Sequence, residues 1–130
     1  MRQSLHAVTL VVDDYDRAID FYVGVMGFDL LQDLDLGADK RWVRVAPPGA
    51  VEGSLLLARA VGGAQRTAIG NQTGGRVGFF LRTDDFKRDH AAMLAKGVAF
   101  EEAPRQEPYG MVAVWRDPFG NRWDLIQFTD

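Results

Sequence analysis

The chain carries only two imidazoles, His6 and His90, and no cysteine. Thiolate metal sites, disulfides and cysteine nucleophiles are therefore excluded. Any metal centre or general base must draw on carboxylates, amides or those two rings. Four polar residues could do chemistry by their type: Arg44, Arg82, Tyr109 and Asp124. Asp124 and Tyr109 are the catalytic candidates, since a carboxyl or a phenol can move a proton or steady a developing charge. The guanidinium forks of Arg44 and Arg82 suit a carboxylate or phosphate. Trp42 and Phe80 add flat apolar surface for a planar molecule. No Gly-x-Ser-x-Gly elbow, phosphate-cradling Gly-rich loop or His-Glu-x-x-His pair is present.

The elements that must position these residues come in two copies. Residues 7–12 (AVTLVV) form an apolar, β-branched run that ends at Asp13-Asp14, where an aspartate can cap a helix. Tyr15, Ile19, Tyr22 and Met26 follow at helical spacing and Gly27 offers a left-handed stop. The same grammar returns in the second half of the chain: 77–83 (VGFFLRT), Asp84-Asp85, then Phe86, His90, Met93 and Leu94 on one helical face before Gly97. With the two copies aligned, Asp13 meets Asp84, Asp14 meets Asp85 and Arg17 meets Arg88. His90 shares its face with Phe86 and Met93, so it is expected to pack on a sheet.

Strand material follows each helix: 28–34, 40–45 and 53–60 in the first copy, and 99–102, 111–116 and 122–128 in the second. Pro47-Pro48-Gly49 and Asp117-Pro118-Phe119-Gly120-Asn121 are turn signals. The expectation is an α+β fold in a single domain, 1–130, built of two tandem βαβββ modules that form a concave mixed sheet. Module 1 covers about 5–60 and module 2 about 76–128, and residues 61–75 read as an exposed linker.

A net charge of −3 with mixed signs lacks the basic surface that nucleic acid requires. No apolar run is long enough to span a bilayer. Met1–His6 has neither the apolar core nor the cleavage site of a secretory signal, so a cytoplasmic protein is expected.

The chain resembles the vicinal oxygen chelate superfamily, which includes glyoxalase I, extradiol dioxygenases, fosfomycin-resistance and bleomycin-binding proteins. The resemblance rests on DYDRAIDFY (14–22), Gly27-Phe28, Glu107-Pro108-Tyr109-Gly110, DPFGN (117–121) and Trp123-Asp124-Leu125-Ile126. It implies up to four inward-facing metal ligands of His, Gln or Glu type, on the first and last strand of each half. The family's first ligand lies seven residues before the capping aspartate, which from Asp14 is Ala7. His6 is one residue out of register and should face away, because side chains alternate across a strand. By the repeat the third position is Gly78, and the second falls at Leu55, with Leu56 as the alternative. Only the fourth, Asp124, carries a donor. One carboxylate binds a divalent cation poorly, so no cofactor is expected beyond a weak divalent site using Asp124 and His6.

The resemblance thus implies a small-molecule-binding protein with a degenerate metal site. Its ligand contacts would come from Thr9, Trp42, Arg44, Phe80, Arg82, Tyr109 and Asp124. The alternatives are a metal-dependent lyase, isomerase or dioxygenase recruiting His6, Asp124 and Glu107, and a metal-free enzyme using Asp124, Tyr109 or an arginine. The expected partners are a small molecule and a second copy in a homodimer, with neither nucleic acid nor membrane.

Overall fold

A computed structural model describes residues 1–50 and 52–129. The chain divides into two compact units, Met1–Ile69 and Gly70–Asp130. The division falls inside the stretch read as a linker. Mixed sheets with few helices make the protein α+β.

Unit 1 runs β1 (Ala7–Val12), α1 (Tyr15–Ile19), β2 (Asp29–Gly37), β3 (Lys40–Ala46) and β4 (Ser54–Arg59), with sheet order β1-β4-β3-β2. The cap operates as the sequence implies: Asp14 accepts from the Arg17 backbone N–H at 2.9 Å. The predicted helix has two parts. After Ile19 the backbone continues as π-helical turns over Asp20–Val25, and Gly27 then takes positive φ, 76°. β1 pairs with β4 in parallel, and β4–β3–β2 are antiparallel. Leu10, Val12, Val43, Val45 and Leu57 are fully buried, together with Ala18 and Tyr22 of the helical segment. Register places those five sheet residues on one face, the helix side.

The residues read as an exposed linker contain α2 (Gly62–Ala68). Its apolar content is too low to show helical periodicity, and none of its residues is buried. Local bonds hold it instead: Gln65 Oε1 accepts from the Val61 N–H at 2.8 Å, and the Thr67 hydroxyl donates to the Gly63 carbonyl at 2.9 Å.

Unit 2 runs β5 (Phe79–Arg82), α3 (Phe86–Ala95), β6 (Ala99–Phe100), β7 (Arg105–Glu107), β8 (Gly110–Arg116) and β9 (Arg122–Phe128), with sheet order β5-β9-β8-β6. Asp85 caps α3 through the Arg88 N–H at 3.1 Å. β7, which sequence patterning missed, pairs with β8 across the Pro108-Tyr109 turn. Three polar residues, RQE, carry no alternation to detect. The helix-side core stacks Phe79 on Trp123 and Trp123 on Trp115, with centroids 4.8 and 4.9 Å apart. His90 packs there as expected, parallel to Phe86 and edge-on to Phe100. At the β8–β9 turn, buried Asp117 accepts from the Phe119 and Asn121 N–H groups and from Asn121 Nδ2.

Candidate functional site

In each unit one sheet face carries the helix and the other does not. The helix-free face of unit 1 follows from register. Ala7 lies opposite Ser54, Thr9 opposite Leu56 and Leu56 opposite Arg44. Trp42 and Arg44 share that face, with Leu34 and Gln32 as their partners on β2.

Four polar groups on this face form one connected set. Gln32 Oε1 accepts from Trp42 Nε1 at 2.9 Å and from Arg44 Nε at 2.8 Å. Arg44 Nη1 donates to Ser54 Oγ at 3.0 Å, and that hydroxyl donates to the His6 carbonyl at 2.7 Å. Arg44 is only 9% exposed and Ser54 only 1%. Burying a guanidinium requires its donors to be engaged, and this set engages Nε with an amide and Nη1 with a hydroxyl.

Gln32 was not among the residues singled out from the sequence. Strict alternation from Leu30, which pairs with Val45 on the helix side, would send Gln32 to that side as well. A register shift between Leu30 and Gln32 moves it to the face of Arg44 instead. The only hint in the sequence is a polar residue interrupting the apolar run Leu30-Leu31.

The helix-free face of unit 2 carries Phe80, Arg82, Asp124, Ile126, Phe128, Val112 and Val114. Phe80 lies opposite Asp124, Arg82 opposite Ile126, and Val114 opposite Asp124 on the other side. Phe80 is 64% exposed. The Arg82 guanidinium sits over the Phe128 ring, 5.5 Å from its centroid. Tyr109, half exposed, lines a shallow depression with Arg82, Pro108, Phe128 and Thr129.

Asp124 is the anomaly of this face. Among the described residues its Oδ1 is buried and receives no hydrogen bond. Burial pushes its carboxyl above the ordinary aspartate range; Glu102 adds to the rise, and Arg105 and Arg122 pull against it. Those two arginines are committed elsewhere. Arg105 Nε donates to Glu102 at 2.9 Å and its Nη1 to Glu107, while Arg122 bonds Glu101 through Nε at 2.9 Å and Nη2 at 3.0 Å. Glu107 is thus occupied by Arg105.

The positions that the resemblance marks as metal ligands can now be placed. Ala7 lies on the helix-free face, as parity predicts. The second position needs correction: Leu55 registers with Val8 and Val45 on the helix side and is buried, whereas Leu56 faces the other way with Thr9 and Arg44. Counting along β4 without its partners could not settle that parity. Gly78 precedes β5, and a Cβ there would come within 2.7 Å of the Thr73 γ-methyl. His6 lies just before β1 and its Nδ1 pairs with Glu52 Oε2 at 3.0 Å. Among the described residues no three His, Cys, Asp or Glu side chains gather as a metal-binding set. Nor is any helix among them long and apolar enough to cross a membrane.

Comparison with known proteins places this geometry in context. Residues 4–125 match the family model described as Glyoxalase/Bleomycin resistance protein/Dioxygenase superfamily. An uncharacterized protein of Shewanella frigidimarina (strain NCIMB 400) is 53% identical over 131 residues, covering 100% of this chain and 97% of its own. The crystal structure of TnmS3, an antibiotic binding protein from Streptomyces sp. CB03234, superposes with a TM-score of 0.79 at 35% identity, covering 98% of each chain. A glyoxalase/bleomycin resistance protein from the same Streptomyces superposes with a TM-score of 0.73 at 37% identity, covering 95% of this chain and all of that one.

Proposed function

Because the chain belongs to the Glyoxalase/Bleomycin resistance protein/Dioxygenase superfamily, we propose that it binds a small, partly aromatic molecule on its helix-free sheet faces without a resident catalytic metal. One observation carries the proposal. The positions where relatives would place metal ligands hold Ala7, Leu56 and Gly78, which have no side-chain donor, and Asp124 is the exception. A divalent cation gives up hydration water only to several ligands at once, so a lone carboxylate does not fit it. In place of ligands the faces present flat and apolar groups, Trp42, Leu34, Phe80 and Phe128, beside Arg44, Arg82 and Tyr109. The likeness to an antibiotic binding protein supports the same direction.

A metal-assisted lyase, isomerase or dioxygenase is the second reading, and the unpaired Oδ1 of Asp124 favours it. Metal analysis after dialysis separates the two. We expect less than a tenth of an equivalent of Zn, Ni, Mn or Fe; a stoichiometric metal that is lost in Asp124→Ala would establish the enzyme reading. Thermal-shift screening of aromatic and antibiotic compounds tests binding directly, since a ligand at 100 times its Kd adds about 2.7 kcal/mol of stability. We further propose a cytoplasmic location and a homodimer, and exposed Phe80 and Phe128 support the dimer. Sizing chromatography that shows only monomer would remove the dimer.

A further inference from the structure

We infer that the Gln32 amide is the specificity-determining donor of the unit 1 face, and that it selects ligands bearing a carbonyl or carboxylate group on an aromatic ring. The inference rests on the small-molecule-binding reading above and adds to it the chemical class of the ligand.

The argument begins with lone pairs. An amide oxygen has two, and at Gln32 both are taken, one by Trp42 Nε1 and one by Arg44 Nε. Those two groups are obligate donors, because neither an indole N–H nor a guanidinium can accept. Flipping the amide end for end would set its NH2 against two N–H groups, so the orientation is locked. Its Nε2 is therefore turned away from both.

That nitrogen bonds to no described residue, and it is not among the buried unpartnered atoms. Two N–H donors are thus held in fixed orientation where a ligand can reach them. Around them lie Trp42 and the half-exposed Leu34, its register partner. Arg44, whose guanidinium is held by Gln32 and Ser54, adds positive charge beneath the site. A flat ring lying on Trp42 and Leu34 with a carbonyl or carboxylate oxygen toward Gln32 satisfies every one of these features. A ligand presenting an ammonium or hydrocarbon edge there leaves two donors unpaired as it displaces their water, which costs affinity.

The test uses a matched pair of neutral probes, 2-acetylnaphthalene and its isostere 2-isopropenylnaphthalene, titrated against tryptophan fluorescence. We expect the ketone to bind about tenfold more tightly than the alkene, the loss that accompanies one unmade hydrogen bond. In Gln32→Glu the carboxylate still accepts from Trp42 and Arg44, so the face is preserved, but an acceptor replaces the displayed donors. The ketone preference then disappears. Equal affinity of the two probes for the native protein overturns the inference and leaves the binding reading intact. So does a ketone preference that survives in the glutamate variant. Failure of both probes to bind at their solubility limit overturns the binding reading for planar aromatics together with this inference.

Discussion

Phe80 and Asp124 are register partners on the parallel strands β5 and β9, which sets an exposed ring beside a carboxylate with one buried, unbonded oxygen. The pairing holds a group whose ionised form is poorly solvated next to apolar surface. Function, rather than stability, is the natural reason to keep an acid there.

Replacing that acid removes the penalty. Burial raises the Asp124 pKa in the folded protein, so the native state holds this proton more tightly than the unfolded chain does. Native stability contributed by the group is present at low pH and is lost as pH rises from the unfolded value, about 3.9, through the folded one. Asp124→Asn does not ionise and escapes the loss. It is expected to be more stable than the native protein at pH 7. The gain should vanish near pH 3. Denaturant titrations at the two pH values check this, and a loss of stability at pH 7 would show that Oδ1 has a donor after all.

Glu101 obeys the opposite sign. It bonds Arg122 twice and Arg116 once, at 2.7 to 3.0 Å. The Arg122 guanidinium, with Arg116 and against a weaker push from burial, holds its carboxyl below the usual range. Its stabilisation is therefore present above the unfolded pKa, about 4.3, and is lost as pH falls through the lowered folded value. Glu101→Gln is expected to lose up to about 1 kcal/mol at pH 7 and to match the native protein at the acid end. A pH-independent difference would mean that the amide disturbs packing instead.

The two helix caps give a third expectation. Asp14 and Asp85 occupy equivalent places in the two copies, each accepting from the backbone N–H three residues on. Each also lies within the span of an exposed ion pair of like geometry, Asp13–Arg17 at 2.7 Å and Asp84–Arg88 at 2.8 Å. Asp14→Ala and Asp85→Ala should each cost about 1 kcal/mol, and asparagine at either site should restore most of it. Alanine variants as stable as the native protein in thermal unfolding would show that tertiary packing alone holds these helix starts.

Much of this was legible in the residues themselves. Capping aspartates, Gly27, the Asp117–Asn121 turn and the internal repeat specify βαβββ twice over, because capping, turn chemistry and alternation act within a few residues along the chain. Alternation also suffices wherever a strand runs without interruption. It places Thr9 with Ala7, Trp42 with Arg44, and Phe80 with Arg82, and each pair does share a face.

What the chain could not disclose by itself are relationships between strands distant in sequence. The parity of Leu55 against Leu56 depends on how β4 docks between β1 and β3. β7 exists because Arg105–Glu107 finds β8, not because its residues alternate. Gln32 reaches Arg44 only because one extra residue in β2 is absorbed opposite β3, which reverses the side on which Gln32 to Asp35 lie before a second shift ahead of Gly37. Such slips are decided by the fit of a whole ladder and its core, and no local pattern records them.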